Sequence, residues 1–112
     1  MGKNERCTLT PAQPFTLAGL IDYQEGAVVS RTIIDKQVGT VTLFAFDVAQ
    51  GLSEHTAPFD ALVYVLDGEA EVNIEGKSVR LNTGMFTIMP AGKPHSVRAL
   101  TPFKMMLIMI RA

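Results

Sequence analysis

The chain has a single cysteine, only two histidines and almost no net charge, with ten Lys and Arg set against eleven Asp and Glu in 112 residues. One cysteine, Cys7, cannot close an internal disulfide, and a domain of this size needs none. Nothing near Cys7 in the sequence would lower its pKa, so a nucleophilic role is not expected of it. The basic residues are scattered, so no stripe exists to neutralise a run of phosphates, and nucleic acid is not an expected partner. Long hydrophobic runs are missing too. "ALVYVL" and "MMLIMI" fall far short of the about 20 residues that span a bilayer. The opening "MGKNERCTLTPAQ" has no apolar core of the kind an export signal carries, nor the Ser or Thr that myristoylation wants at the sixth position. The expectation is a cytoplasmic protein that meets no membrane.

What is present is the composition of one globular domain. Hydrophobic residues make up 47% and charged residues 19%, which supports one core and rules out a disordered chain. Residues 1–112 therefore read as a single domain, without repeat, low-complexity tract or linker.

The dominant period is two. "TVTLFAFDV" (40–48) puts Val41, Leu43 and Ala45 on one side and Thr42, Phe44 and Phe46 on the other. "EAEVNIEGKSVRL" (69–81) alternates strictly and turns at Glu75–Gly76, which reads as a hairpin with one wet and one dry face. Further strands read at 27–34, 61–66, 85–89, 95–100 and 103–110, separated by turn signals at Gly51, Asp67–Gly68, Thr83–Gly84, "PAGKP" and "TP". Many short strands at this spacing predict an all-β sandwich or barrel. Only the N-terminal arm, residues 1–26, departs from the pattern. Its "FTLAGLIDYQEG" reads as a short helix or irregular strand covering one end.

Two strands are apolar on both faces. "ALVYVL" and "MMLIMI" want cover on the side away from the core. The N-terminal segment is expected to supply it for one strand and a second subunit for the other, which makes a homodimer the expected assembly.

Two stretches carry a recognisable spacing. In residues 51–68, His55 is followed thirteen positions later by Gly68; in 84–99, "GMFTIMPAGKPHSVRA" sets Gly84, Pro90 and His95 in order. Together they resemble the two motifs of the cupin superfamily, small β-barrels of jelly-roll topology. The resemblance implies an all-β jelly-roll barrel with little helix, and a site inside it built from both motifs. It also implies metal ligands that are not all here. Ala57 stands at the family's second histidine, Ala61 at its glutamate and Ala99 at its asparagine, and Gly51 sits four rather than six residues before His55.

His55 and His95 are the surviving ligand positions. Two neutral imidazoles leave a divalent transition metal short of the three or more protein ligands usual in a catalytic site. Asp60 is the candidate third ligand, although strand parity turns it away from Ala61. No cofactor is assigned; a divalent metal on His55, His95 and Asp60 is the alternative.

The expected pocket is lined by His55, His95, Ala57, Ala61 and Val63, with burial pushing the histidine pKa values down. Met85, Met89, Met105, Met106 and Met109 could be soft ligands but are read as core or pocket lining. Tyr64 is expected to face away from the pocket and pack between layers, and Lys93 to be a solvated loop charge. The favoured function is a cupin barrel that binds a small-molecule ligand in a reduced two-histidine pocket. The alternatives are a cupin enzyme, either a metal-dependent oxygenase or isomerase or a metal-free isomerase, and an interaction module whose dimer is the functional object.

Overall fold

The computed structural model describes residues 6–111. The start of the arm, residues 1–5, and residue 112 lie outside the described residues, as does most of what was read into "MGKNER". The described chain is nearly all strand. In order these are β1 (Arg6–Cys7), β2 (Val28–Lys36), β3 (Gly39–Phe46), β4 (Gly51–His55), β5 (Ala61–Asp67), β6 (Glu69–Ile74), β7 (Lys77–Asn82), β8 (Phe86–Met89), β9 (His95–Ala99) and β10 (Phe103–Ile110). One short 3-10 helix, Leu17–Leu20, interrupts the arm.

The strands form two antiparallel sheets, one of six strands ordered β1-β2-β3-β10-β5-β8 and one of four ordered β4-β9-β6-β7. This is the jelly-roll arrangement. The period-two pattern decides which side chains meet between the sheets. Phe46, Val63, Val65, Phe103 and Met105 come from the larger sheet and Val72, Leu81 and Val97 from the smaller, all buried in one cluster. Phe46 and Phe103 stack with ring centroids 4.5 Å apart and planes 2° from parallel. Each such fully buried side chain contributes about 1.5–3 kcal/mol.

A second cluster lies on the outer face of the six-stranded sheet. Leu43 and Ala45 of β3 and Ile33 of β2 are buried there with Ile21, and Leu9, Leu17 and Leu20 of the arm pack against them with Leu66 and Met106. The arm thus covers the back of the sheet rather than one end of the barrel. Polar ties hold it down: Tyr23 Oη donates to Asp67 Oδ2 at 2.5 Å, Lys104 Nζ donates to the Ala18 carbonyl at 2.6 Å, and Arg31 Nη1 donates to the Leu20 carbonyl at 3.0 Å.

Several details differ from the sequence reading. Gly51 is not a turn but the first residue of β4, a strand the hydrophobic pattern conceals because it is mostly exposed. It is glycine for closeness: a Cβ there would stand 2.1 Å from the Val97 carbonyl oxygen of β9. Cys7 lies in β1 opposite Ile34. Met85 is 46% exposed rather than core, whereas Met89 and Met105 are buried. Tyr64 does face away from the barrel interior, but it lies half-buried on the outer face beside Met106 and Phe86 rather than between the sheets.

Candidate functional site

His55 ends β4 and His95 begins β9, and the two are cross-strand partners. Their meeting depends on a register shift. Leu52 pairs with Val97 and His55 with His95, so three steps along β4 oppose two along β9. In a regular strand, residues 52 and 55 would face opposite sides. The one-residue bulge returns His55 to the side of Leu52, Val97 and His95, which is the barrel interior. His95 is 3% exposed, and His55, nearer the rim, is exposed.

The rings meet edge to face, with centroids 4.4 Å apart and planes at 73°. Their Nε2 atoms are 3.1 Å apart. Each Nδ1 is bound to a backbone carbonyl two residues earlier, His55 to Ser53 at 2.7 Å and His95 to Lys93 at 3.2 Å. A carbonyl only accepts, so both Nδ1 atoms carry the proton, and in the neutral rings both Nε2 atoms present lone pairs to each other. The pair is one proton short of a hydrogen bond. It is satisfied by a shared proton, by a donor from a ligand or by another electron-pair acceptor. Loading both rings with protons is opposed: burial, then the charge of His55, push the His95 pKa below its ordinary value, against the pull of the Lys93 carbonyl.

The other expected residues have different surroundings. Ala61 and Val63 of β5 are buried on the inner face, Ala61 between Met89 and Met109 and Val63 between Thr87 and Leu107. Ala57 is half-buried in the loop after β4, and its carbonyl accepts from Gly92 N at 2.7 Å. Asp60 is exposed, and its Oδ1 accepts from Ala91 N at 2.9 Å. Both contacts tie the loop after β4 to the turn between β8 and β9. The Asp60 carboxylate is thus engaged in joining loops rather than in meeting the histidines. Lys93 on the same turn pairs with Glu75 at 3.6 Å, both side chains about half exposed. The two Nδ1 acceptors, Ser53 and Lys93, were not legible in the sequence because they act through backbone carbonyls that every residue owns. A groove of about 510 Å³ also opens between residues 20–24 and 29–31, and none of the expected site residues lines it.

Residues 42–111 match the family model of the cupin domain. The chain belongs to the cupin family. Solved cupins agree over nearly its whole length. A cupin superfamily protein from Desulfitobacterium hafniense DCB-2 is 28% identical, with a TM-score of 0.87 over 93% of this chain and 95% of its own. A conserved protein of unknown function from Streptococcus pyogenes is 31% identical, with a TM-score of 0.88 over 93% of this chain and 91% of its own. A Cupin 2 conserved barrel domain protein from Leptotrichia buccalis is 39% identical, with a TM-score of 0.83; the match covers 86% of this chain but 47% of that one. Among curated proteins, none matches the chain.

A cupin metal centre needs more donors than this one gathers. Among the described residues, no three His, Cys, Asp or Glu side chains come together. The His55–His95 pair offers two imidazole nitrogens, and no carboxylate joins them among the described residues. That donor set does not fit a tightly held divalent ion. No helix among the described residues is long and apolar enough to cross a membrane.

Proposed function

We propose that this cupin binds a small molecule against the His55–His95 pair, in a site reduced from a metal centre to two imidazoles. The observation that carries this reading is the orientation of the pair, with both Nδ1 protons on carbonyls and both Nε2 lone pairs converging at 3.1 Å. Such an arrangement favours a ligand that brings a hydrogen-bond donor, an O–H or N–H, to the two acceptors. In this reading Ala61 and Val63, small apolar side chains buried on β5, and Ala57, half-buried after β4, are its lining, which suits a site with few polar groups in an apolar setting. Ligand-observed NMR with a library of small polar and aromatic alcohols, amides and acids tests the reading. Binding is expected to favour donors and to be lost in His95→Ala protein that keeps its β-sheet signature. Near-stoichiometric metal in the unmutated protein, lost with either histidine, would overturn it.

The same pair favours a second reading as a metal-free isomerase. Nε2 of His95 is a desolvated base with its tautomer fixed, and His55 could receive or return the proton it takes. Solvent deuterium appearing at a carbon of a bound ligand, and disappearing with His95→Ala, distinguishes turnover from binding alone.

A further inference from the structure

The inner face of the six-stranded sheet is apolar at one end, around Phe46, Phe103 and Met105, and hydroxylated towards the other. Residues directly opposite on neighbouring strands share a face, and Val63 is buried inside the barrel. Leu107 and Thr87 lie opposite Val63, Thr42 lies opposite Leu107, and Thr32 lies opposite Thr42. One inward row therefore runs Thr32–Thr42–Leu107–Val63–Thr87. The next row, two residues along and about 7 Å away, runs Asp35–Thr40–Met109–Ala61–Met89. This second row is at the histidine end, because loops 56–60 and 90–94 join Ala61 to His55 and Met89 to His95.

Thr32, Thr40, Thr42 and Thr87 are half-buried. Among the described residues none of their hydroxyls makes a hydrogen bond, and none is sealed from solvent. The strands do not require these hydroxyls. Valine has the same outline, favours strands as well, and would leave no polar group without a partner. Charge is nearly absent from the two rows, where Asp35 is the one ionisable residue. The cations in register with the inward faces, Arg6 opposite Asp35 and Lys77 opposite Ile74, are exposed on the outermost strands β1 and β7. Lys93 at the rim pairs with Glu75.

We infer that the ligand of the histidine pair is a neutral, polyhydroxylated molecule, a polyol or sugar, held between His55–His95 and the inward threonines. The inference rests on the small-molecule reading above and adds the class of the ligand. The Nε2 lone pairs and the Asp35 carboxylate only accept, whereas a threonine hydroxyl both donates and accepts. A ligand hydroxyl matches both, giving its proton to an imidazole or taking one from a threonine. Several hydroxyls on one skeleton satisfy the site along its length. A carboxylate or phosphate would add acceptors where no inward cation meets them, and its charge would be desolvated without a partner. An ammonium group would have only Asp35 to pair with, at the end of its row away from Ala61. Leu107 and Met109 offer apolar contact to the C–H surface that a polyol carries between its hydroxyls.

Ligand-observed NMR titration of the full chain with matched probes tests the inference: sorbitol and glucose as neutral probes, gluconate as the anion and glucamine as the cation. A neutral probe should bind, with gluconate and glucamine about tenfold weaker or more. Thr42→Val and Thr87→Val should each weaken that binding about fivefold, the worth of one hydrogen bond, while the urea midpoint holds or rises. Thr42→Ala and Thr87→Ala should weaken it equally, which separates the lost hydroxyl from any change in packing. Gluconate or glucamine bound as tightly as the neutral probes would overturn the assignment, and so would silence from both neutral probes. A ligand lost with His95→Ala but indifferent to both valine substitutions would also overturn it, while leaving the histidine site itself standing.

Discussion

Nε2 of His55 and Nε2 of His95 face each other across 3.1 Å, each on a ring whose Nδ1 proton is held by a backbone carbonyl. This relationship is made by the backbone, through the bulge in β4 that contains Ser53 and the turn that brings Lys93 into reach. Side-chain chemistry alone would let either ring adopt the other tautomer and satisfy the pair internally. To do so here, a ring must abandon its carbonyl, at about 1 kcal/mol or more for a partly buried bond. The site is thus left with acceptors that look for a donor.

Acid should destabilise the fold before its carboxylates titrate. Burial and then His55 hold the His95 pKa below its ordinary value, so between the two values the unfolded chain binds a proton that the folded one refuses. The stabilising contribution is complete above about pH 6.5, the unfolded value, and is lost as pH falls below it towards the folded value. Urea unfolding from about pH 7.5 to about pH 5 should show this decline, and His95→Gln should flatten it. Stability that holds or rises over that interval in the unmutated protein would remove the buried, proton-resisting histidine.

Gly68 should tolerate no side chain. Its φ of +85° belongs to the left-handed region, and a Cβ would lie 2.2 Å from the Pro102 carbonyl oxygen and 2.8 Å from Phe103 Cβ. Phe103 is fully buried against Phe46, so the clash cannot relax into solvent. Gly68→Ala is expected to cost about 3 kcal/mol or more, read as a lower denaturant midpoint. Gly76→Ala also sits at positive φ but meets nothing within 4 Å, and it should cost only about 1 kcal/mol. Equal losses at the two positions would show that backbone conformation, not the contact, decides.

The contrast between these glycines marks what the sequence could reveal. Gly68, Gly84, Pro90 and His95 kept their family spacing, and alternation separated the two faces of 40–48 and of 69–81, without telling that Phe46 rather than Leu43 faces the barrel interior. Those signals are local and periodic, and the fold follows from them. That His55 and His95 belong to one site was expected from the resemblance; that their Nε2 atoms face each other across 3.1 Å was not readable, because it rests on a bulge that no residue type announces. β4 was hidden for the related reason that an exposed edge strand carries no apolar alternation. Asp60 looked available as a ligand because sequence shows a carboxylate but not the Ala91 amide that engages it.

Tyr23 should act as the latch of the N-terminal arm. Its hydroxyl donates to Asp67 and Lys104 stands 5.0 Å from its ring centroid. Burial, then the hydrogen bond to Asp67 and its charge, raise the Tyr23 pKa above the ordinary phenol value. The folded state therefore resists deprotonation. Its contribution is present below about pH 10 and is lost as pH rises beyond it. Tyr23→Phe should lower stability by about 1 kcal/mol and speed amide exchange at Leu43 and Ala45 beneath the arm. It should also blunt the alkaline loss. Unchanged exchange at those amides would mean that the arm holds without this contact.

Restoring donors should convert the site. In the unmutated protein, added Zn²⁺ or Mn²⁺ is expected to bind weakly, since two imidazoles supply neither the ligand number nor the charge. Ala57→His with Ala61→Glu puts a histidine in the loop after β4 and a carboxylate on the inner face of β5, the positions that the motif resemblance implies for them. Ala61 is 2% exposed and lies between Met89 and Met109, so a glutamate there is desolvated and crowded. Without metal, the double variant should lose about 2–4 kcal/mol. With metal, the neutralised carboxylate and the His55–His95 pair should recover that loss, and calorimetry should show one tight ion per chain that the parent lacks. The decisive comparison adds His95→Ala to the double variant. If the pair is a surviving half of a metal centre, tight binding and the recovered stability should both vanish. Metal binding that survives without His95 would place the ion elsewhere and separate the histidine pair from the family's metal chemistry.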